Sequence, residues 1–505
     1  MRIRTLRAVL PVAAVLLSAG CTMAGPANAP RTGADVVPQA RREFRGVWIA
    51  TVANIDWPSR PGLPADSQRA ELVALLDRAV ALRMNAVVFQ VRPSGDALYK
   101  SSLEPWSEYL TGAQGTPPSD GYDPLEFAVA EAHRRGLQLH AWFNPYRARH
   151  PIARTPEAPT HLARTHPEVV KQYGKYLWMD PGEPLVQDHS IAVILDVVRR
   201  YDVDGVHIDD YFYPYPEKDS AGATIDFPDE PSWQRYRAGG GRLSRDDWRR
   251  GNVDRFVERM YREVHRVKPW VQVGISPFGI WRPGNPPQIT TSFDQYAMLY
   301  ADARKWLREG WTDYFTPQLY WPIARTGQSY PVLLDWWAKE NVRGRHLWPG
   351  NFASRTFEGD PTPWPASEVI GQIYVTRGRL PDPGNIHFSM KAFVLDRDSL
   401  SERVAREAYR DGALPPASPW LSRARPGAPA VTAASGQVQI RAGGGAAPMW
   451  WVVRARVAGR WTVDVLPAAQ STWTAPAGAD RIVVSAAGRL GNEGPATEAF
   501  SRDLR

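Results

Sequence analysis

The sequence predicts an α/β chain built as a (β/α)8 TIM barrel, followed by a small β-sandwich. Three observations predict it. Between residues 43 and 411, eight short apolar runs are each followed by an amphipathic helical stretch. The four longest insertions, 93–122, 144–186, 210–244 and 277–299, all follow strand ends. Beyond residue 426 the composition shifts to Ala, Gly, Val and Thr, with short runs and glycine-containing turns. The predicted barrel strands are Arg45–Val52, Asn85–Arg92, Leu137–Phe143, Val203–Asp209, Val271–Ser276, Tyr314–Gln318, His346–Gly350 and Ile386–Lys391. The predicted helices are Ser67–Arg83, Asp123–Arg135, Gln187–Arg200, Arg245–Lys268, Tyr300–Glu309, Tyr330–Glu340, Ala366–Gly378 and Ser399–Asp411. In the first, Leu72, Leu75, Leu76, Ala79 and Leu82 share one face at helical spacing. A doubly wound sheet is the alternative, but eight β/α units without a glycine-rich phosphate loop argue against it. All four insertions then lie on the C-terminal face, where barrel enzymes carry their active sites.

The flanks read differently. Residues 1–21 join a basic start, an apolar stretch and small residues, the form of an export signal. The sole cysteine, Cys21, follows Ser18-Ala19-Gly20, which resembles a bacterial lipobox and predicts lipidation there. The alternative is an ordinary secretory signal. Residues 22–42 are small, polar and proline-containing, as a flexible tether is. Thr22, where Asp would retain a lipoprotein inside, points by resemblance to the outer membrane of a Gram-negative envelope, facing the periplasm. Residues 412–426 read as a proline-rich linker. Within 427–505, Val438–Ala442, Met449–Val457, Arg460–Val465 and Arg481–Ala487 read as strands of a sandwich that resembles a fibronectin type III module. Its role is either wall binding or spacing.

Composition narrows the function. One cysteine excludes a disulfide scaffold and a thiolate zinc cluster. The apolar run at the N-terminus is too short to span a bilayer, which excludes a polytopic membrane protein. The net charge of +8 includes Arg2, Arg4 and Arg7 of the leader and is not gathered into a dense basic block, so nucleic acid is not an expected partner. The 21 Trp residues direct attention to carbohydrate, because indole rings offer flat platforms to sugars.

The strongest local signal is Val203–Tyr213. Strand alternation puts Gly205, His207 and Asp209 on one face and Val206 and Ile208 on the other. The apolar pair belongs against the helices, so His207 and Asp209 point into the barrel mouth and Asp210 opens the loop. A carboxylate at a strand's C-terminal end is where a glycosidase keeps its nucleophile or base. Asp209 is therefore the first catalytic candidate and Asp210 the second. A second carboxyl group is needed as acid. Asp210 itself, Asp56 after the first strand, and Asp96, Glu104 and Glu108 after the second are candidates that sequence alone leaves open. Gln90, Arg92, Asn144, Arg147 and Gln318 offer polar partners to hydroxyl groups, with His140, His207 and Ser276 beside them at strand ends. Trp142, Tyr211, Tyr213, Tyr320 and Trp321 offer flat apolar surface. His140, His207, Asp209 and Asp210 also suit a His/Asp metal site, but no His-Glu-x-x-His helix accompanies them, and no metal or other cofactor is expected. No Gly-x-Ser-x-Gly elbow is present, which argues against an esterase.

Glu43–Ala50, Asn54–Pro58, His140–Arg147, Asp204–Tyr213, Gly274–Arg282 and Thr316–Pro322 together resemble the glycosyl hydrolase-like 10 family over roughly residues 43–400. The resemblance implies a barrel glycosidase with its catalytic Asp at the end of strand four, which is Asp209 here. It also implies a cell-envelope lipoprotein acting on peptidoglycan glycan strands, since the family includes a division-associated enzyme that cuts peptide-free strands. The sandwich is not part of the family pattern. Three readings stand: a cell-wall glycan hydrolase anchored to the membrane through Cys21, a non-catalytic glycan-binding lipoprotein, and a metal-dependent polysaccharide deacetylase.

Overall fold

The computed structural model describes residues 36–291, 293–357 and 362–500. The leader, Cys21 and the first part of the tether lie outside the described residues. Nine parallel strands form the main sheet: β1 (Phe44–Ile49), β2 (Ala86–Arg92), β3 (Gln138–Phe143), β4 (Gly205–Ile208), β5 (Gln272–Ile275), β6 (Tyr314–Phe315), β7 (His346–Leu347), β8 (Gly350–Asn351) and β9 (Gly384–His387). Their order is β7-β6-β5-β4-β3-β2-β1-β9-β8. β7 pairs with β6 while β8, two residues further along the same chain, pairs with β9. The two ends of the sheet thus meet on consecutive pieces of one segment, and the sheet curls into a TIM-barrel-like form. All eight predicted strands are present at least in part, the seventh split at Trp348-Pro349 and the eighth ending at His387, because the chain turns there into a short helix, Met390–Leu395.

Helices α1 (Ala65–Ala81), α2 (Pro124–Arg134), α3 (Pro184–Arg200), α4 (Arg245–Val267), α5 (Ala303–Glu309), α6 (Tyr330–Glu340) and α7 (Ala366–Arg379) alternate with the strands. Asp123 caps α2 by accepting from the backbone N–H groups of Leu125 and Glu126, and Ser244 caps α4 through Asp247 N. The strand alternation sorts two cores. Val206 and Ile208 face the helices, in the large outer core with Val47, Ile49, Leu72 and Leu76. The barrel interior is a separate cluster of Phe44, Trp48, Val88, Trp142, Tyr314, Trp348 and Ile386. Glycines clear room for its rings. A Cβ on Gly205 would lie 2.3 Å from the His140 ring, and one on Gly274 would lie 1.9 Å from the Tyr314 ring.

The insertion after β3 folds into a three-stranded antiparallel sheet, Arg147–Arg149, Tyr176–Met179 and Val170–Tyr173. At the opposite end of the barrel the last residues before β1 and the linker segment pack against the strand starts. Arg41–Arg42 pairs in parallel with Ala413–Leu414. Ser418 is fully buried, accepts from Gln272 Nε2 at 3.0 Å and lies 3.1 Å from His346 Nε2. Trp420 donates to Asp313 at 2.9 Å. The reason is that polar groups at the strand starts need partners once covered, and this segment supplies them.

The C-terminal region forms a three-stranded sheet and a four-stranded sheet. Its strands are β10 (Ala430–Ala434), β11 (Gln437–Arg441), β12 (Trp450–Val457), β13 (Arg460–Pro467), β14 (Thr472–Thr474), β15 (Ala479–Ala487) and β16 (Glu493–Phe500). The orders are β10-β11-β14 and β13-β12-β15-β16. Val438, Ile440, Trp451, Val453, Trp473, Ile482 and Val484 form the core of this region. The four predicted strands are there, and β10, β14 and β16 were not foreseen. This region contacts the barrel floor through Trp450, which donates to Gly136 O at 2.7 Å, and through Arg489, which pairs with Asp202 at 2.8 Å.

One ion pair at the floor is wholly enclosed. Glu43 accepts from Arg45 Nε at 2.7 Å and from Arg377 at 2.6 and 2.9 Å, and both Glu43 and Arg45 are buried. Glu43→Ala would leave Arg45 charged and uncompensated, and is expected to cost about 3–5 kcal/mol of stability. Urea denaturation of the purified variant checks this; an unchanged midpoint would mean that water replaces the carboxylate.

Candidate active site

The strand ends on the C-terminal face surround a cleft of about 290 Å³. Asp209 and Asp210 lie in it, with Arg147, His150, Ser276 and Gln318. Its apolar wall is Trp48, Trp142, Tyr211, Tyr215, Tyr320, Phe352 and Phe388, among others. Tyr320 stacks on Phe352 at 4.8 Å between centroids. Arg147 sits over the Tyr211 ring at 4.9 Å.

Asp209 follows directly from β4, and its position is fixed from β3. Asn144 Nδ2 donates to Asp209 Oδ2 at 2.5 Å, and Trp142 Nε1 donates to the same oxygen at 3.2 Å. The Tyr211 N–H reaches Oδ1 at 3.4 Å. The Asn144 amide is itself oriented. Its Oδ1 accepts from Gln90 Nε2 at 2.6 Å and from Arg147 Nη2 at 2.8 Å, so its NH2 must face Asp209. Gln90 in turn accepts from the Thr51 and Val52 N–H groups, each at 2.8 Å. Asp210 accepts from the Tyr215 hydroxyl, and the nearby Gln318 amide, which donates to Ser276 O at 2.9 Å, also favours its charged form. Burial pushes the Asp209 carboxyl up to about 7, and the neighbouring Asp210 charge adds to the effect. Burial raises Asp210 as well, against Tyr215 and Gln318. Two buried carboxyls lining one cleft resist ionising together, so the first charge holds back the second.

The remaining predicted acids are elsewhere. Asp56 accepts from Ala50 N, Ser389 Oγ and Lys391 N, each at 2.7 Å, and ties the β1 loop to the chain after β9. Its carboxyl is enclosed although part of the residue reaches the surface, and burial pushes it up to about 6. Glu104 accepts both nitrogens of a bidentate Arg92, at 2.5 and 2.8 Å, and lies 2.9 Å from His189. Burial would raise its carboxyl, but the Arg92 guanidinium overcomes that and holds it far below the usual range. Asp96 accepts from Ser94 N at 2.9 Å, is buried, and is pushed up by that burial. Glu108 accepts from Arg154 N, Thr155 N and Thr155 Oγ1 at 2.9–3.0 Å. None of the four lines the cleft.

The predicted binding residues divide in the same way. Trp142, Arg147, Tyr211, Ser276, Gln318 and Tyr320 line the cleft. Gln90 and Asn144 stand behind it and hold Asp209. Arg92 belongs to Glu104, and Tyr213 is buried against Phe227 and Tyr300. Trp321 packs edge-on against Phe278. His140 and His207 lie below the cleft in the barrel interior, on one chain of hydrogen bonds. Trp48 Nε1 donates to His207 Nε2 at 3.3 Å, and that nitrogen lies 3.1 Å from Ser276 Oγ. An accepting Nε2 places the ring proton on Nδ1, which donates to Tyr314 Oη at 3.0 Å. The hydroxyl then donates to His140 Nδ1 at 2.9 Å. Burial lowers both imidazoles, His140 to about 4. Both nitrogens of His207 are therefore engaged in the interior. Among the described residues no three His, Cys, Asp or Glu side chains are placed to hold a metal ion.

Trp48, His150, Tyr215, Phe352 and Phe388 were not foreseen. Alternation from Gly46 marks Trp48 as inward-facing, and Tyr215 continues the spacing of Tyr211 and Tyr213. His150, Phe352 and Phe388 come from irregular chain, where no periodicity points at the cleft.

The model of the family described as glycosyl hydrolase-like 10 matches residues 43–353. A relative from Bacillus subtilis strain 168, "Glycosyl hydrolase YngK", is 42% identical over 403 residues, covering 78% of this chain and 77% of its own. "Glycosyl hydrolase DigH" of Escherichia coli K12 is 36% identical over 356 residues, covering 66% of this chain and 79% of its own. Among solved structures, the catalytic domain of a β-amylase from Paenibacillus polymyxa covers 74% of this chain and 99% of its own, at 12% identity and a TM-score of 0.47. That likeness is too distant to speak to the site.

The raised Asp209 carboxyl has a consequence for stability. An unfolded Asp titrates near 3.9. Between that value and about 7 the folded protein holds a proton the unfolded chain has lost, so Asp209 costs stability progressively as pH rises. Asp209→Asn removes the cost. The variant's melting temperature is expected to gain on wild type from pH 4 to pH 8, by scanning calorimetry; a constant difference would show that Asp209 ionises normally.

Proposed function

The chain belongs to the glycosyl hydrolase-like 10 family, and on that premise we propose that it is a glycoside hydrolase of cell-wall glycan, acting on peptidoglycan strands. The observation that carries the reading is the Asp209–Asp210 pair, set at the end of β4 in a cleft walled by aromatic rings. Glycoside hydrolysis asks for one carboxyl that is protonated and one that is not. Two carboxyls that resist joint ionisation meet that demand as a unit. Asp209, the more firmly held, is proposed as nucleophile or base, with Asp210 as its acid partner once the one proton of the coupled pair rests on Asp210. Trp142, Tyr211 and Tyr320 would carry the faces of the sugar rings, and Arg147, Ser276 and Gln318 their hydroxyl groups.

The finer features of the reading support one another. The curled sheet fits a (β/α)8 barrel, with the active site at the strands' C-terminal ends. The 3+4 sheet arrangement at the C-terminus fits a fibronectin type III-like sandwich. Export by residues 1–21 with lipidation at Cys21 would place the enzyme on the outer membrane facing the periplasm, beside its polymer.

The test is mass spectrometry of the products released from peptidoglycan glycan strands, with and without stem peptides, by residues 22–505. Fragments carrying one added water establish hydrolysis; strands that co-sediment intact with the protein establish binding alone. Asp209→Asn is expected to lower kcat by at least about 100-fold. The rate is expected to be bell-shaped in pH, falling above about 7 as the pair loses its last proton. A rate that climbs steadily to pH 9 would remove the pair from the mechanism.

A further inference from the structure

A second hollow, of about 300 Å³, opens beside the Asp209 cleft. The two share their walls. Val52 and Ile55 line the cleft, whereas Ala53 and Asn54, between them, line the hollow. His150 lines the cleft, and Ile152 and Arg154 of the same loop line the hollow. The partition is held in an unusual backbone. Ala53 and Asn54 both have φ of 55°, the left-handed region that a non-glycine residue occupies at a cost. Asn54 Nδ2 fastens the turn by donating to Pro58 O at 2.9 Å and Tyr109 O at 2.8 Å. Strain maintained at the rim of a cleft directs attention to ligand contact.

The hollow is cationic. Arg60 and Arg154 line it, and neither guanidinium has a hydrogen bond or ion pair among the described residues. Glu108 lines it too, but its Oε2 is taken by Arg154 N, Thr155 N and Thr155 Oγ1, so this carboxylate positions the loop that carries Arg154. Two guanidinium forks face a single carboxylate, whose Oε2 is already engaged, so the lining is net positive and one fork is left for an anion. A carboxylate matches the guanidinium fork, and a neutral sugar does not. A glycan lying in the cleft and crossing the 52–55 turn would set its next unit in this hollow.

We propose that the hollow is a subsite for a carboxylate-bearing unit of the same glycan, bound by Arg60 and Arg154; the inference rests on the glycan-hydrolase reading above. In cell-wall glycan that carboxylate has two sources, the lactyl ether of an unsubstituted muramic unit or an attached peptide.

The test compares three glycans: peptide-free strands, the same strands with their carboxyl groups reduced to alcohols, and peptide-bearing strands. Wild type is expected to favour peptide-free over reduced strands about tenfold in kcat/KM, through KM. The Arg60→Gln/Arg154→Gln double variant is expected to bring that ratio close to one. Peptide-bearing strands cleaved poorly by wild type assign the carboxylate to the lactyl group; strands cleaved equally well, with the same loss in the variant, assign it to the peptide. Wild type indifferent to reduction, or a ratio that survives in the double variant, overturns the subsite. Should wild type cleave no glycan, the hydrolase reading falls, and sedimentation of the Asp209→Asn protein with peptide-free and reduced strands then decides the subsite. Equal retention on the two overturns it.

Discussion

One amide carries the constraint on which the Asp209 cleft depends. Asn144 accepts from Gln90 and Arg147 and donates to Asp209, while Gln90 accepts from the backbone of Thr51 and Val52. This short chain crosses the ends of β1, β2, β3 and β4. Every link has only one workable direction, because the Arg147 guanidinium and the two backbone N–H groups can only donate. Asp209 is therefore presented with its Oδ2 engaged and its carboxyl fixed, which is what positioning for chemistry requires. Replacing either amide by an apolar residue would leave buried donors or acceptors without partners in both directions along the chain.

Beneath that layer lies a largely aromatic interior threaded by a polar run, where barrels of this type carry branched aliphatic side chains. Trp48, His207, Tyr314 and His140 form a single run of hydrogen bonds, and Gly205 and Gly274 give up their side chains so that the rings fit. The two histidines are kept neutral by burial, which is the condition for each to accept as well as donate. The run ends at Trp48 and Ser276, both of which line the cleft. The cleft floor is thus held by directional bonds, and a substitution deep in the barrel such as Gly205→Ala would be felt at Asp209, four residues further along the chain and just past the end of β4.

Much of this was legible in the sequence. Period-two alternation placed Val206 and Ile208 outward and His207 and Asp209 inward, and it did so because both faces of the strand are buried by different partners. The same argument failed past the strand ends. It offered Arg92 to substrate, yet an arginine twelve residues from Glu104 in a dry interior is claimed by that carboxylate first. It offered Asp56, Asp96, Glu104 and Glu108 as acids, but a loop must satisfy its own backbone N–H groups, and these carboxylates are spent on that or on Arg92. The prolines of 412–426 marked a linker but could not show that Leu414 and Ser418 within it are fully buried against the barrel floor. Residue type reports chemical capacity, whereas geometry decides which neighbour uses it.

The pairing of Asp209 with Asp210 is the sharpest instance. Successive residues of a strand point to opposite faces, so a regular strand would send one carboxyl into the mouth and the other toward the helices. β4 ends at Ile208. The chain bends there, and Tyr215 and Gln318 draw Asp210 back to the side of Asp209. Ending the strand one residue earlier than the apolar pattern suggests is what converts two sequence neighbours into two carboxyls of one cleft. Their mutual repulsion in a dry site then supplies the division between a protonated and an ionised group, which separate residues on distant loops would need two different environments to achieve.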